Sequence, residues 1–198
     1  MSRPRAWLLG LLLLVAAWFV AAATPDGEAR ITDPFPVAAS PGAPAVGDNI
    51  AVTIHDAVVS DGVTSQTGWS AAGTWLVIDL DAWAVKTESP GFIGGAYLVL
   101  ADRTLSASER PGARNNTTSL LKARLHVGVP QSGSIAFELP ADVTMGTAVL
   151  QLAQNNGAGA TDPSLSLEGD SAIQLPLVLK DLDRVTDREL RRTDWVTP

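Results

Sequence analysis

Apolar and polar positions alternate with a period of two along most of the chain after residue 49. In the stretch IAVTIHDAVVS (residues 50–60), Ile50, Val52 and Ile54 share one face, whereas Thr53 and His55 share the other. Successive side chains of a strand point to opposite faces, so this pattern predicts a strand with one buried side. Alternation or an apolar run predicts six further strands: residues 73–85, 94–102, 119–129, 132–140, 146–154 and 172–179.

Turn-forming residues separate these predicted strands. They concentrate at residues 60–62, 89–91, 111–116, 130–133, 140–146 and 155–169. Short strands at this spacing, with no sustained helical period among them, are typical of a sandwich of two antiparallel sheets. The sequence therefore predicts an all-β domain over residues 49–179, an immunoglobulin-like antiparallel β-sandwich of about seven strands.

An apolar segment precedes the predicted domain. Residues 7–23 contain no charged side chain, and Arg3 and Arg5 stand before them. As a helix this run would rise roughly 26 Å, compared with the ~30 Å of a membrane's hydrocarbon core. The pattern predicts that residues 1–23 are either a single-pass transmembrane signal anchor or a secretory signal peptide that is cleaved near Ala23. Either way, the rest of the chain is expected outside: membrane-bound in the first case, secreted in the second.

A spacer is expected between this segment and the domain. Residues 24–48 are rich in Pro and Gly and have no sustained periodicity, which predicts an extended linker. The alternative is that Ile31, Phe35 and Val37 pack onto the domain as an irregular first strand.

The last residues form a charged tail, 180–198. Thr186 is followed three positions later by Glu189, the capping-box spacing that predicts the start of a short helix. The tail is interpreted either as a solvated segment or as a docking segment for a partner.

Composition restricts the classes of partner and chemistry. The 198-residue chain has a net charge of −7, and the part after residue 23 has a charge of −9, since Arg3 and Arg5 are the only charges before it. An acidic domain of this kind repels nucleic acid. There is no cysteine, which excludes disulfides and thiolate metal ligands. No cofactor and no metal site are predicted.

One predicted strand presents a candidate binding surface on its outward face. Residues 73–85 place Trp75, Asp79, Asp81 and Trp83 on the side opposite the apolar positions. Indole rings stack on sugars or apolar partner surfaces, and carboxylates accept hydrogen bonds from sugar hydroxyls or bind calcium. The alternative is that the linker or a neighbouring long loop covers this face and buries the tryptophans.

Candidate catalytic groups are few, and no catalytic residue is predicted. The only histidines, His55 and His126, fall at outward positions of separate strands, and no Gly-x-Ser-x-Gly motif is present. A hydrolase built on Asp79 and Asp81 with His55 is the competing hypothesis. Two carboxylates on the same strand face, ~7 Å apart, leave little room for a sugar between them.

Three segments resemble a known family. They are Val46-Gly47-Asp48 before the first strand, residues 76–82 with alternating apolar positions, and a Gly-x-x-x-Phe-x-x-Pro segment over residues 133–140. Together they are similar to exported bacterial domains of unknown function with an immunoglobulin-like (telokin-like) sandwich, akin to the secreted mycobacterial immunoprotective antigen. The resemblance covers about residues 46–179, although residues 84–87 lack the Asn that usually ends the second strand.

The resemblance implies an exported interaction or accessory domain and brings no catalytic residues with it. The sequence is thus interpreted as a non-enzymatic binding domain of the bacterial cell envelope. Its partner would be an envelope protein, such as a membrane complex, or a cell-wall polysaccharide. The alternative from another class is a metal-dependent or carboxylate-based hydrolase that acts on a cell-wall glycan.

Overall fold

The computed structural model describes residues 3–23, 35–89, 91–112, 119–121, 123–141, 143, 145–154 and 171–196. It divides into two compact units, residues 1–33 and residues 34–198. In the first unit, helix α1 spans Arg3–Ala23. Within the described part of the chain, no helix is both long enough and apolar enough to cross a membrane, so the predicted transmembrane helix is not supported.

The described residues of the second unit form two sheets, as the alternating pattern predicted. The strands are β1 (Phe35–Ala38), β2 (Pro44–Val46), β3 (Ile50–Thr64), β4 (Ser70–Ala84), β5 (Gly95–Val99), β6 (Thr104–Ser106), β7 (Gln131–Glu138), β8 (Thr147–Ala153), β9 (Ser171–Val178), β10 (Asp183–Val185), β11 (Arg188–Glu189) and β12 (Asp194–Trp195). The five-stranded sheet has the order β1-β9-β8-β5-β6. The seven-stranded sheet has the order β10-β3-β4-β7-β12, with β2 and β11 also paired to β3.

The core lies between the two sheets. On β4, Leu76, Ile78 and Leu80 face inward and are fully buried. Opposite residues of neighbouring strands share a face, so Phe137 and Ile135 of β7 join them through the pairs Leu76–Phe137 and Ile78–Ile135. The apolar positions predicted to face inward on these strands therefore do so.

The longest hairpin, β3–β4, corrects one predicted turn. Residues 60–62 lie within β3, which continues to Thr64 and turns at residues 65–69. The register shifts between Ser60 and Gly62, where the Ser60 hydroxyl donates to the Gly62 carbonyl at 2.5 Å. This local hydrogen bond forms an irregularity inside the strand, so the turn-like composition there does not end it.

The predicted strand over residues 119–129 is wrong as a continuous element. Among the described residues there, only isolated bridges occur, at Leu121, His126, Val127 and Val129. Leu120 and Leu125 are nonetheless buried in the core. The Ala123 N–H donates to the Leu120 carbonyl, which turns the backbone between the two leucines.

The predicted linker is also shorter than expected. β1 pairs in parallel with β9, β2 pairs with β3, and Val37 packs against the core. The alternative of an early strand therefore applies to Phe35 and Val37, although Phe35 itself is 73% exposed. Ile31 lies outside the described residues.

The tail does not form the predicted helix. Residues 183–195, which we call the C-terminal segment, contain β10, β11 and β12. Thr186 and Glu189 have the capping-box spacing, but Glu189 lies in β11 and pairs with Thr64 of β3. Pairing with an available sheet edge takes precedence over the local helix signal here.

Candidate functional site

The outward side chains of β4 define the candidate site. We call the side of the seven-stranded sheet that points away from the five-stranded sheet its outer face. Trp75, Asp79, Asp81 and Trp83 alternate with the buried core residues of β4 and therefore lie on this face, as predicted. The four residues nevertheless have different surroundings.

The C-terminal segment crosses the outer face. β10 and β12 are at opposite edges of the sheet, four strand spacings or about 19 Å apart. The chain from Val185 to Asp194 must therefore traverse β3, β4 and β7. Leu190 directly follows β11, where its N–H donates to the Thr64 carbonyl of β3, and it is buried in a small apolar cluster with Trp75 and Val77.

Asp79 is the polar attachment point of this crossing segment. Its side chain is only 5% exposed, and its Oδ2 lies 2.6 Å from the Arg188 guanidinium. Its Oδ1 accepts a hydrogen bond from the Ser134 hydroxyl at 2.5 Å. The same hydroxyl accepts the backbone N–H of Arg191 at 2.8 Å. Asp79 thus holds the C-terminal segment, and each of its two carboxylate oxygens already has a partner.

Arg188 joins two carboxylates. In addition to Asp79, it contacts Asp56 at 3.1 Å. Burial by itself would lower the pKa of Arg188, but the hydrogen bond and charge of Asp79, helped by Asp56, outweigh it and raise the pKa. When folding raises the pKa of a basic group, the charged group stabilises the fold fully at any pH below its ordinary pKa. This stabilisation is lost only as the pH rises through the raised pKa of the folded state. The Arg188 charge therefore persists across the whole neutral and acidic range.

Trp75 is covered as well. It is fully buried, and its ring packs edge-to-face on Trp69 with centroids 5.9 Å apart. The guanidinium of Arg110 lies 5.7 Å from the Trp75 ring centroid and pairs with Glu138 at 3.0 Å. At this end the alternative of a covered face is therefore correct. Among the described residues, Leu190, Trp69 and Arg110 contribute to this cover.

The other end of the outer face is more open. Trp83 is partly exposed, and it pairs across β3 and β2 with Ala51 and Val46. Val46 is 53% exposed. Since directly paired residues share a face, Trp83 and Val46 form an apolar strip at this end.

A bulge in β3 aims a histidine at the same region. The register shifts between Ile54 and Asp56, so His55 is the extra residue of the strand. Its Nε2 lies 2.8 Å from Oδ2 of Asp81, one row from Trp83. Bulges commonly redirect side chains in this way. Sequence periodicity placed His55 on the outer face but did not predict the bond with Asp81.

An open polar cleft adjoins these residues. It has a volume of about 560 Å³ and lies between the C-terminal segment and the strands β4 and β7. Its lining is mainly charged or hydrogen-bonding: Gln66, Asp79, Ser132, Arg188, Glu189, Leu190, Arg191, Arg192 and Asp194. Guanidinium groups donate and carboxylates accept hydrogen bonds, so the cleft suits a ligand rich in polar groups.

Sequence reasoning missed the residues that build the cleft. Arg188, Arg191 and Arg192 lie in the tail that was predicted to be helical. Their role depends on the C-terminal segment returning to β4, a pairing between residues more than one hundred positions apart. Residues 187, 188, 189 and 191 are all charged and only Leu190 is apolar, so no alternation marks this stretch as extended.

The described groups form no evident metal centre. Among the residues that the structure describes, no cluster of three or more His, Cys, Asp or Glu side chains could hold a metal ion. His126 is paired with Glu88 at 3.2 Å and its ring lies against Trp195. His55 contacts Asp81, whereas His126 contacts Glu88 and Trp195, so the two imidazoles have different partners.

Comparison with known proteins found one structural likeness and no sequence match. No protein-family model and no curated protein sequence matches the chain. The chain is similar to the crystal structure of an uncharacterized β-sandwich protein from Clostridium difficile 630, with 10% sequence identity and a TM-score of 0.46. The match covers 77% of this chain and 99% of that chain. The relationship to the exported antigen-like family is not shown.

Proposed function

We propose that the protein acts outside the cytoplasm as a non-enzymatic binding domain for a polysaccharide of the bacterial cell envelope. The basic start, apolar run and small residues of the first 23 positions support export. The resemblance of residues 46–179 to exported antigen-like domains supports the same location.

The observation that carries the proposal is the juxtaposition of Trp83 with the polar cleft. Asp81 lies two residues before Trp83 on β4, and its pairing partner on β7 is Ser132, a cleft residue. An indole ring beside carboxylates, hydroxyls and guanidinium groups matches a sugar, which offers one apolar ring face and many hydroxyls. A purely apolar protein surface would leave the cleft's polar groups unpaired.

The hydrolase hypothesis has one specific observation in its favour, the His55–Asp81 bond. A carboxylate that orients an imidazole is part of a catalytic triad. The hydrolase hypothesis, however, also requires Asp79 as a catalytic carboxylate. Asp79 is enclosed by Arg188 and Ser134, so it would have to be released before it could act. We therefore favour binding, with His55 and Asp81 as hydrogen-bonding groups beside Trp83.

Co-sedimentation with purified cell-wall sacculi tests this proposal. Trp83→Ala should weaken retention roughly 30-fold, since loss of an aromatic hot spot often costs about 2 kcal/mol. Phe35→Ala is the matched control, because Phe35 is an exposed aromatic on the other sheet and should bind like the unaltered domain. Equal retention of both variants, or no sedimentation of the unaltered domain, would contradict the proposal.

A further inference from the structure

Two buried oxygen atoms at the end of the C-terminal segment lack hydrogen-bond partners. They are Oε1 of Gln131 on β7 and Oγ1 of Thr193, the residue before β12. Within the described part of the chain, Trp75 Nε1 is the third buried side-chain atom that has no hydrogen-bond partner. A buried polar group without a partner costs about 1–3 kcal/mol, so two at one sheet edge require an explanation.

The register brings these two residues together. β12 pairs Trp195 with Gln131 and Asp194 with Ser132, which sets Thr193 opposite Gly133. A methyl group added at Gly133 would lie 3.4 Å from Thr193 Oγ1, so the hydroxyl occupies the space above that glycine. Gln131 is two residues from Gly133 on the same face. The two side chains are thus diagonal neighbours, whose Cβ atoms are typically about 7 Å apart and within reach of a long side chain.

We propose that Thr193 and Gln131 form an intramolecular ester bond. The Thr193 hydroxyl oxygen attacks Cδ of the Gln131 carboxamide, and the C–N bond breaks. The hydroxyl proton leaves with the amide nitrogen as ammonia, so the reaction needs no oxidant, reductant or further reactant. The product removes the Thr193 hydroxyl donor that lacks a partner, while the carbonyl oxygen of Gln131 remains as an acceptor.

A candidate base for the proton transfer lies at the same edge. His126 lies against the ring of Trp195, the residue that pairs with Gln131, with ring centroids 5.1 Å apart. Glu88 holds this imidazole at 3.2 Å. A carboxylate-oriented imidazole is the usual base for activating a hydroxyl nucleophile.

The bond would fix the C-terminal segment over the outer face. The segment is already held near its start by the pairing of β10 with β3 and near its middle by Arg188. A covalent link at Thr193 would close the far end, at the cleft that Arg191 and Arg192 line. The inference is independent of the proposed ligand, because it concerns the chain alone.

Mass spectrometry of the purified full chain tests the ester. The intact mass should be lower by about 17 Da, the mass of the ammonia released. After trypsin, residues 193–198 should remain attached to the peptide of residues 125–180, since cleavage follows Arg124, Lys180 and Arg192. Mild alkali should separate the two peptides and leave glutamate at position 131.

Two variants make the result specific. Thr193→Val keeps the branched shape but removes the nucleophile, so the mass deficit and the linked peptide should both disappear. Thr186→Val removes an exposed hydroxyl of the same segment and should keep both. An unaltered chain with its full calculated mass and a free 193–198 peptide would overturn the proposal, as would a linked peptide in Thr193→Val.

Discussion

At the scale of single residues, the decisive contact is the one between Asp79 and Arg188. The strand pattern predicted that Asp79 would lie on the outer face, and it does. Its burial could not be predicted, because the guanidinium that covers it belongs to a residue 109 positions further along the chain. Local periodicity specifies a side chain's face but contains no information about a distant segment that covers that face.

The first prediction concerns this contact. Arg188→Met should reduce the free energy of unfolding by about 2–4 kcal/mol, because it leaves the buried Asp79 carboxylate with Ser134 alone. Arg192→Met removes an exposed charge from the same segment and should change stability by at most about 0.5 kcal/mol. Urea denaturation of both variants measures the difference, and equal losses would show that the Asp79–Arg188 pair does not hold the segment.

At the scale of secondary structure, alternation predicted the long strands well. β3, β4, β7, β8 and β9 coincide with predicted stretches because each has a continuous apolar face toward the core. The prediction was wrong for residues 119–129, where alternation occurs in an irregular segment that still buries Leu120 and Leu125. It also missed the short strands of the tail, since two- or three-residue pairings have no period to detect.

The register of β7 provides a prediction at this scale. Phe137 is fully buried between the sheets, so Phe137→Ala should lower stability by about 3–5 kcal/mol. Its neighbour Glu138 points outward and makes only the exposed ion pair with Arg110, so Glu138→Gln should cost less than about 1 kcal/mol. Thermal or urea unfolding checks both, and similar losses would mean that the strand faces the other way.

At the scale of the whole molecule, one face of the sandwich has two different halves. The C-terminal segment converts the Trp75 half into a small second core with Val63, Val77, Ala136 and Leu190. The Trp83 half keeps the exposed Val46, the His55–Asp81 bond and the adjoining cleft. The alternating pattern predicted that Trp75, Asp79, Asp81 and Trp83 share this face, but which of them are covered depends on where the tail lies.

Urea denaturation of Trp75→Ala and Trp83→Ala, compared with the unaltered domain, tests this division most directly. Trp75→Ala should lower the free energy of unfolding by about 3–5 kcal/mol, as for a fully buried aromatic side chain. Trp83→Ala should lower it by at most about 1 kcal/mol, because its ring is partly exposed. Equal losses of stability from the two substitutions, or a larger loss from Trp83→Ala, would contradict the conclusion that the outer face is covered at Trp75 and open at Trp83.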